Sequence, residues 1–136
     1  MIYEYDLAVP ANTLADAPVS VDMALSPGII HRLEVSWPAG CNNMVLISIR
    51  SGLHQVWPTN PDGYLKGNMY TLSIPVWHDL GEGPAILKAY GCSPGASYDH
   101  AVTIRLAVQR REILQPPDTS KPILERLNRW FFGRTG

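Results

Sequence analysis

Charge is scarce in this sequence: Asp, Glu, Lys and Arg make up 17% of the 136 residues, and the formal net charge is −1 at pH 7. A chain so evenly balanced projects no long-range field, which excludes nonspecific nucleic-acid binding by the folded body as a whole. Cysteine is scarcer still. Cys41 and Cys92 are the only two, each beside a glycine-containing turn signal, and they satisfy either one disulfide or two free thiols in a reducing compartment. No run approaches the roughly 18 apolar residues of a membrane-spanning helix. The start Met1-Ile2-Tyr3-Glu4-Tyr5-Asp6 lacks the basic and apolar regions of a secretory leader, so the sequence predicts a soluble protein made in the cytoplasm without a signal peptide. Paired-histidine ligand spacings, a glycine-rich phosphate loop and an acidic calcium loop are also missing. His31, His54, His78 and His100 fall on four separate segments, and the sequence assigns no metal and no cofactor.

What the chain does have is apolar material, at 46%, punctuated by 12 prolines and 11 glycines. That mixture suits short strands joined by tight turns. Period-two alternation recurs along residues 1–114 and predicts about eight strands. They run near Ile2 to Val9, Val19 to Leu25, Ile29 to Trp37, Met44 to Ile49, the stretch His54 to Pro58, Met69 to Val76, Ala85 to Tyr90 and Ala101 to Val108. In the third, Ile30, Arg32, Glu34 and Ser36 form one row against Ile29, His31, Leu33, Val35 and Trp37, which predicts one wet face. Asn60-Pro61-Asp62-Gly63 is the firmest turn, since proline presets its first dihedral and glycine tolerates positive φ. Pro75 belongs at an edge or a strand end. Strands arriving every ten or so residues with no helical pattern between them describe an all-β antiparallel sandwich, jelly-roll or immunoglobulin-like, in which residues 1–18 form an N-terminal arm and first strand.

After Gln115-Pro116-Pro117-Asp118 the period changes. Ser120 suits a cap and Pro122 a first turn, while Ile123, Leu124, Leu127, Trp130 and Phe131 share one face. Residues 115–136 therefore read as a Pro-rich hinge and a short amphipathic helix. Lysine and arginine outnumber acidic residues by four from Arg105 to Arg134, which makes this end mildly basic. A helix so short cannot hide Trp130, Phe131 and Phe132 by itself. They require a partner surface: the domain's own sandwich, a neighbouring subunit or other protein, or, less well matched to Glu125 and the short length, a membrane interface.

Catalytic candidates are weak on geometry. His78-Asp79 and Asp99-His100 each set a carboxylate beside an imidazole, but adjacent strand residues point to opposite faces. Ser93 and Cys92 lack a strand-turn-helix elbow. The aromatic set Trp37, Trp57, Tyr64, Tyr70, Trp77 and Tyr90 has two readings. Each tryptophan stands beside proline or at a strand end, where rings cover the ends of a sandwich core. Alternatively Trp57 and Tyr64, flanking the turn that carries Asn60 and Asp62, hold a carbohydrate or similar ligand.

The order Ala17-Pro18-Val19, Gly28-Ile29-Ile30-His31, Trp37-Pro38-Ala39-Gly40, the run His54 to Gly63, and Tyr98-Asp99-His100 resembles that of small accessory proteins of tailed-phage virions. The resemblance spans about two-thirds of the chain and is architectural. It implies a non-enzymatic capsid decoration or similar virion protein, usually a homo-oligomer, that staples capsid subunits through extended termini. On that reading Ile123, Leu127, Trp130, Phe131 and Phe132 are protein contacts, with Arg126 and Arg129 as a polar rim. The carbohydrate- or ligand-binding module is the alternative.

Overall fold

In the computed structural model, residues 1–110 are described. The hinge and helix expected over residues 115–136, with all seven expected protein-contact residues, lie outside them. Eight strands follow in order: β1 Ile2–Val9, β2 Val19–Leu25, β3 Ile29–Trp37, β4 Leu46–Ser51, β5 His54–Trp57, β6 Tyr70–Asp79, β7 Ala85–Cys92 and β8 His100–Gln109. No helix among the described residues is long and apolar enough to cross a membrane.

Pairing decides between the two sandwich topologies. β1 pairs with β8, β2 with β7, β3 with β6 and β4 with β5, all antiparallel, as in one long hairpin folded back on itself. Contacts of β3 with β8 and of β4 with β7 then complete two four-stranded sheets, β1-β8-β3-β6 and β2-β7-β4-β5. This is the jelly roll. The N-terminal strand is fully engaged in its own sheet, with Ile2 opposite Ala107 through Val9 opposite His100.

Period-two patterning builds the core as expected. Leu7 and Val9, Leu33 and Val35, and Val102 to Val108 in alternation face Met23, Leu25, Ile47, Ile49, Leu87 and Ala89 across the sandwich. Trp37 closes one end, with its indole N–H donated to the Val45 carbonyl at 3.1 Å. Gly91 faces the same interior, where an added Cβ would come within 3 Å of Val9 and Leu7 side-chain carbons.

One row departs from the sequence reading. The register shifts between Ile30 and Arg32 against both neighbouring strands, so His31 sits at an irregularity. Such a bulge reorients the residues on either side. Ile30, expected in the wet row, is therefore wholly buried, as are Leu33 and Val35. Arg32, Glu34 and Ser36 keep the outer face. There Arg105 meets Glu4 at 2.9 Å and Glu34 at 3.8 Å, and Thr103 donates to Asp6 at 2.7 Å, which gives the middle of that sheet a polar exterior. Pro75 lies in β6, an edge strand, where a missing N–H is tolerated.

Candidate functional site

The exterior of the β2-β7-β4-β5 sheet is not flat. Register fixes its outward rows: Ser20 opposite Tyr90 opposite Ser48, and Asp22 opposite Lys88 opposite Arg50 opposite Gln55. β5 is only four residues long and leaves the first half of β4 open on that side. Residue 65 fills the gap: Ile47 and Leu65 exchange backbone hydrogen bonds at 2.7 and 2.8 Å in an antiparallel bridge. An antiparallel pairing of 47 with 65 sets Tyr64 opposite Ser48, extending the first row to Ser20, Tyr90, Ser48 and Tyr64. Two tyrosines thus flank a serine, with their backbones two strand spacings or roughly 9.5 Å apart.

The result is a recess of about 230 Å³, floored by Ser48, walled by Tyr64 and Tyr90, and bordered by Arg50, Cys92 and Pro18. Pocket volumes of drug-sized ligands run from about 300 to 1,000 Å³, so this one fits a single ring or a side group. Two loops shape it. Residues 10–18 are pinned over the end of β7 by Ser93, whose hydroxyl donates to the Pro10 carbonyl at 2.7 Å and whose backbone N–H donates to the Thr13 carbonyl at 2.8 Å. On the other side the turn expected at Asn60 closes with the Gly63 N–H donated to the Asn60 carbonyl at 2.9 Å. Gln55 holds that turn down: its buried amide donates to the carbonyls of Pro58, Asn60 and Gly63 at 2.9, 2.9 and 3.2 Å.

Arg50 supplies the electrostatic feature. Its guanidinium carbon lies 5.2 Å from the centroid of the Tyr90 ring, a cation–π contact. Its Nε is buried, and among the described residues it has no hydrogen-bond partner and Arg50 joins no ion pair. The neighbouring Lys88 is engaged by Asp22 at 3.4 Å.

Of the residues read from the sequence as ligand contacts, only Tyr64 borders the recess. Trp57 is half-buried against the core and meets the His78 ring edge-on at 5.6 Å. Asn60 and Asp62 are exposed on the turn itself. Trp37 covers a core end, as expected for a tryptophan before proline, whereas Trp77 and Tyr70 remain exposed on β6. Burial lowers the His78 pKa, and the charge of His54 lowers it further. Asp99 accepts from the Ala11 N–H at 2.7 Å and Asp79 from the Gly81 N–H at 2.8 Å, so both carboxylates bind loop backbone. Cys41 and Cys92 are buried free thiols, pushed up in pKa by that burial.

Sequence reasoning missed Arg50, Ser48 and Gln55. A signal for the first was present: a lone arginine closing the apolar run from Met44 to Ile49 is unusual in a central strand. The other two depend on cross-strand register, which is not written locally.

No protein-family model and no curated protein sequence matches this chain. Among solved structures it is similar to PirA, at 13% identity over 77% of this chain and 94% of that one, with a TM-score of 0.41. It is also similar to a family two carbohydrate esterase from Cellvibrio japonicus, at 13% identity over 80% and 35% of the respective chains, TM-score 0.37. A Yersinia pseudotuberculosis-derived mitogen follows, at 11% identity over 88% and 92%, TM-score 0.36. All three superpose below 0.5, so fold and site rest on this chain's own geometry.

Proposed function

We propose that this jelly roll is a non-catalytic binding module, and that it holds one sugar ring, or a polar ligand of similar size, in the recess between Tyr64 and Tyr90. The observation that carries the reading is the outward row Tyr90, Ser48, Tyr64. Tyrosines combine an apolar face with a polar tip, which matches a sugar's C–H faces and hydroxyls, and Ser48 between them adds a short polar floor. A glycan array probed with the intact chain tests it. The expected outcome is a restricted set of positive glycans, lost or weakened at least ten-fold by Tyr64→Ala; an array without signal contradicts the reading.

Assembly through protein contacts is the second reading, and one observation favours it. Met69, Tyr70 and Trp77, at the start of and along edge strand β6, are 79%, 54% and 62% exposed, an unusual apolar load for a free edge. A virion accessory protein joining copies of itself or of a capsid subunit would use such a surface together with residues 123–132. Light scattering on the intact chain and on one ending at Leu114 tests this: a closed oligomer dissociated by truncation supports it, and two monomers contradict it.

A further inference from the structure

The recess carries a charge that no carboxylate among the described residues answers. Arg50, on β4 of the β2-β7-β4-β5 sheet, lines the recess, and its Nε–H is shielded from water and has no acceptor among the described residues. A charged donor left buried and unpaired is costlier than a neutral one. The Tyr90 ring offsets part of this but supplies no hydrogen-bond acceptor in the guanidinium plane. The adjacent cation, Lys88, is occupied by Asp22, and that carboxylate is exposed on the far side of Lys88 in the same row. Among the described residues no carboxylate borders the recess, whose remaining lining is alanine, proline, serine, tyrosine, glycine and cysteine.

From these facts we infer that the ligand of this site is anionic, and that Arg50 receives its carboxylate or sulfate group. The inference rests on the binding-module reading and names the chemistry of its ligand. An oxyanion with two coplanar oxygens accepts from the two Nη groups of the guanidinium in a fork, the strongest and most directional contact that side chain makes. Tyr90, packed on the guanidinium face, fixes the plane of the fork. Tyr64 and Ser48, one strand spacing apart in the neighbouring row, then meet the ring that bears the charged group. A uronic acid and a sulfated sugar share this chemistry, with the acid on the ring carbon in one case and as an ester in the other.

Isothermal titration of the full chain distinguishes them. The probes are glucuronate-containing oligosaccharides, the same oligosaccharides with the carboxyl reduced to an alcohol, sulfated oligosaccharides of equal length, and inorganic sulfate. One acidic series is expected to bind at least ten-fold more tightly than its neutral counterpart. That advantage should shrink with added salt and vanish in Arg50→Gln and in Arg50→Lys, which keeps charge but not the fork. Amide NMR spectra confirm that both variants fold. Equal binding of acidic and neutral sugars, unchanged by either substitution, overturns the anionic inference while the binding-module reading stands. Sulfate bound through Arg50 without any sugar overturns the carbohydrate reading and keeps the anion site. Silence from every probe overturns both.

Discussion

At the scale of single residues, the site depends on side chains that bond to backbone. Gln55 is the clearest case, since one amide group holds three carbonyls of the 58–63 turn and thereby the approach to Tyr64. Gln55→Ala leaves those carbonyls to compete for water in a half-buried turn. A loss of about 1–3 kcal/mol in denaturant unfolding is expected, together with weaker ligand binding, and a variant as stable as the parent would show that the turn holds itself. His78 gives a pH signature. Its folded-state pKa lies below the ordinary value near 6.5 because of burial first and His54 second. Above that value both states are neutral and nothing is lost. As pH falls below about 6.5 the unfolded chain takes up the proton first, so stability declines until the lowered folded pKa is passed and then levels. His78→Gln should flatten this part of the profile, measured as unfolding midpoints between pH 8 and 5; parallel profiles would contradict it.

At the scale of elements, alternation was legible wherever the strand was regular. The bounds of Ile2–Val9, Val19–Leu25 and Ile29–Trp37 match the sequence reading, because each strand has proline or glycine at or next to at least one end. Strand ends without such punctuation drifted: β4 begins at Leu46 and β6 runs on to Asp79, past Pro75, because an edge strand tolerates proline. The bulge at His31 was illegible, since its cause is the mismatch of β3 with two partners distant in sequence. It yields a direct prediction. Ile30→Ala should destabilise by about 2–5 kcal/mol, like any large-to-small change in the core, although simple alternation places Ile30 beside Arg32 on the wet face. Arg32→Ala, exposed and in a surface ion pair with Glu34, should change stability by less than about 1 kcal/mol. Equal effects of the two substitutions would mean that the register does not shift there.

At the scale of the whole molecule, the jelly-roll order follows from nested pairing in which the first strand meets the eighth and the fourth meets the fifth. Sequence spacing gave the strand count but not this order, since every pair except β4 with β5 joins segments far apart in the chain. The same nesting explains why the candidate site was only partly visible. Tyr64 and Tyr90 were recognisable as aromatics among six, but Ser48 between them and Arg50 beside them come from a strand that pairs with β7 across more than thirty residues. The short β5 opens the gap that residue 65 fills, and the recess exists because of that substitution of one strand by another. The outer face of the partner sheet is tiled by Glu4, Arg105 and Glu34, and its depression at the β1-β8 end, about 300 Å³ and more open, is lined by Ala8, Val9, Pro10, Asp99, His100 and Ala101, without the arginine and paired tyrosines of the recess. Binding on the β2-β7-β4-β5 exterior is therefore the claim on which the account turns. Backbone amide NMR of the full chain during titration with an acidic oligosaccharide tests it most directly. Shifts centred on Ser48, Arg50, Tyr64 and Tyr90 are expected, with the β1-β8-β3-β6 exterior unmoved; shifts confined to that opposite face, or to β6 around Trp77, would contradict binding in the recess.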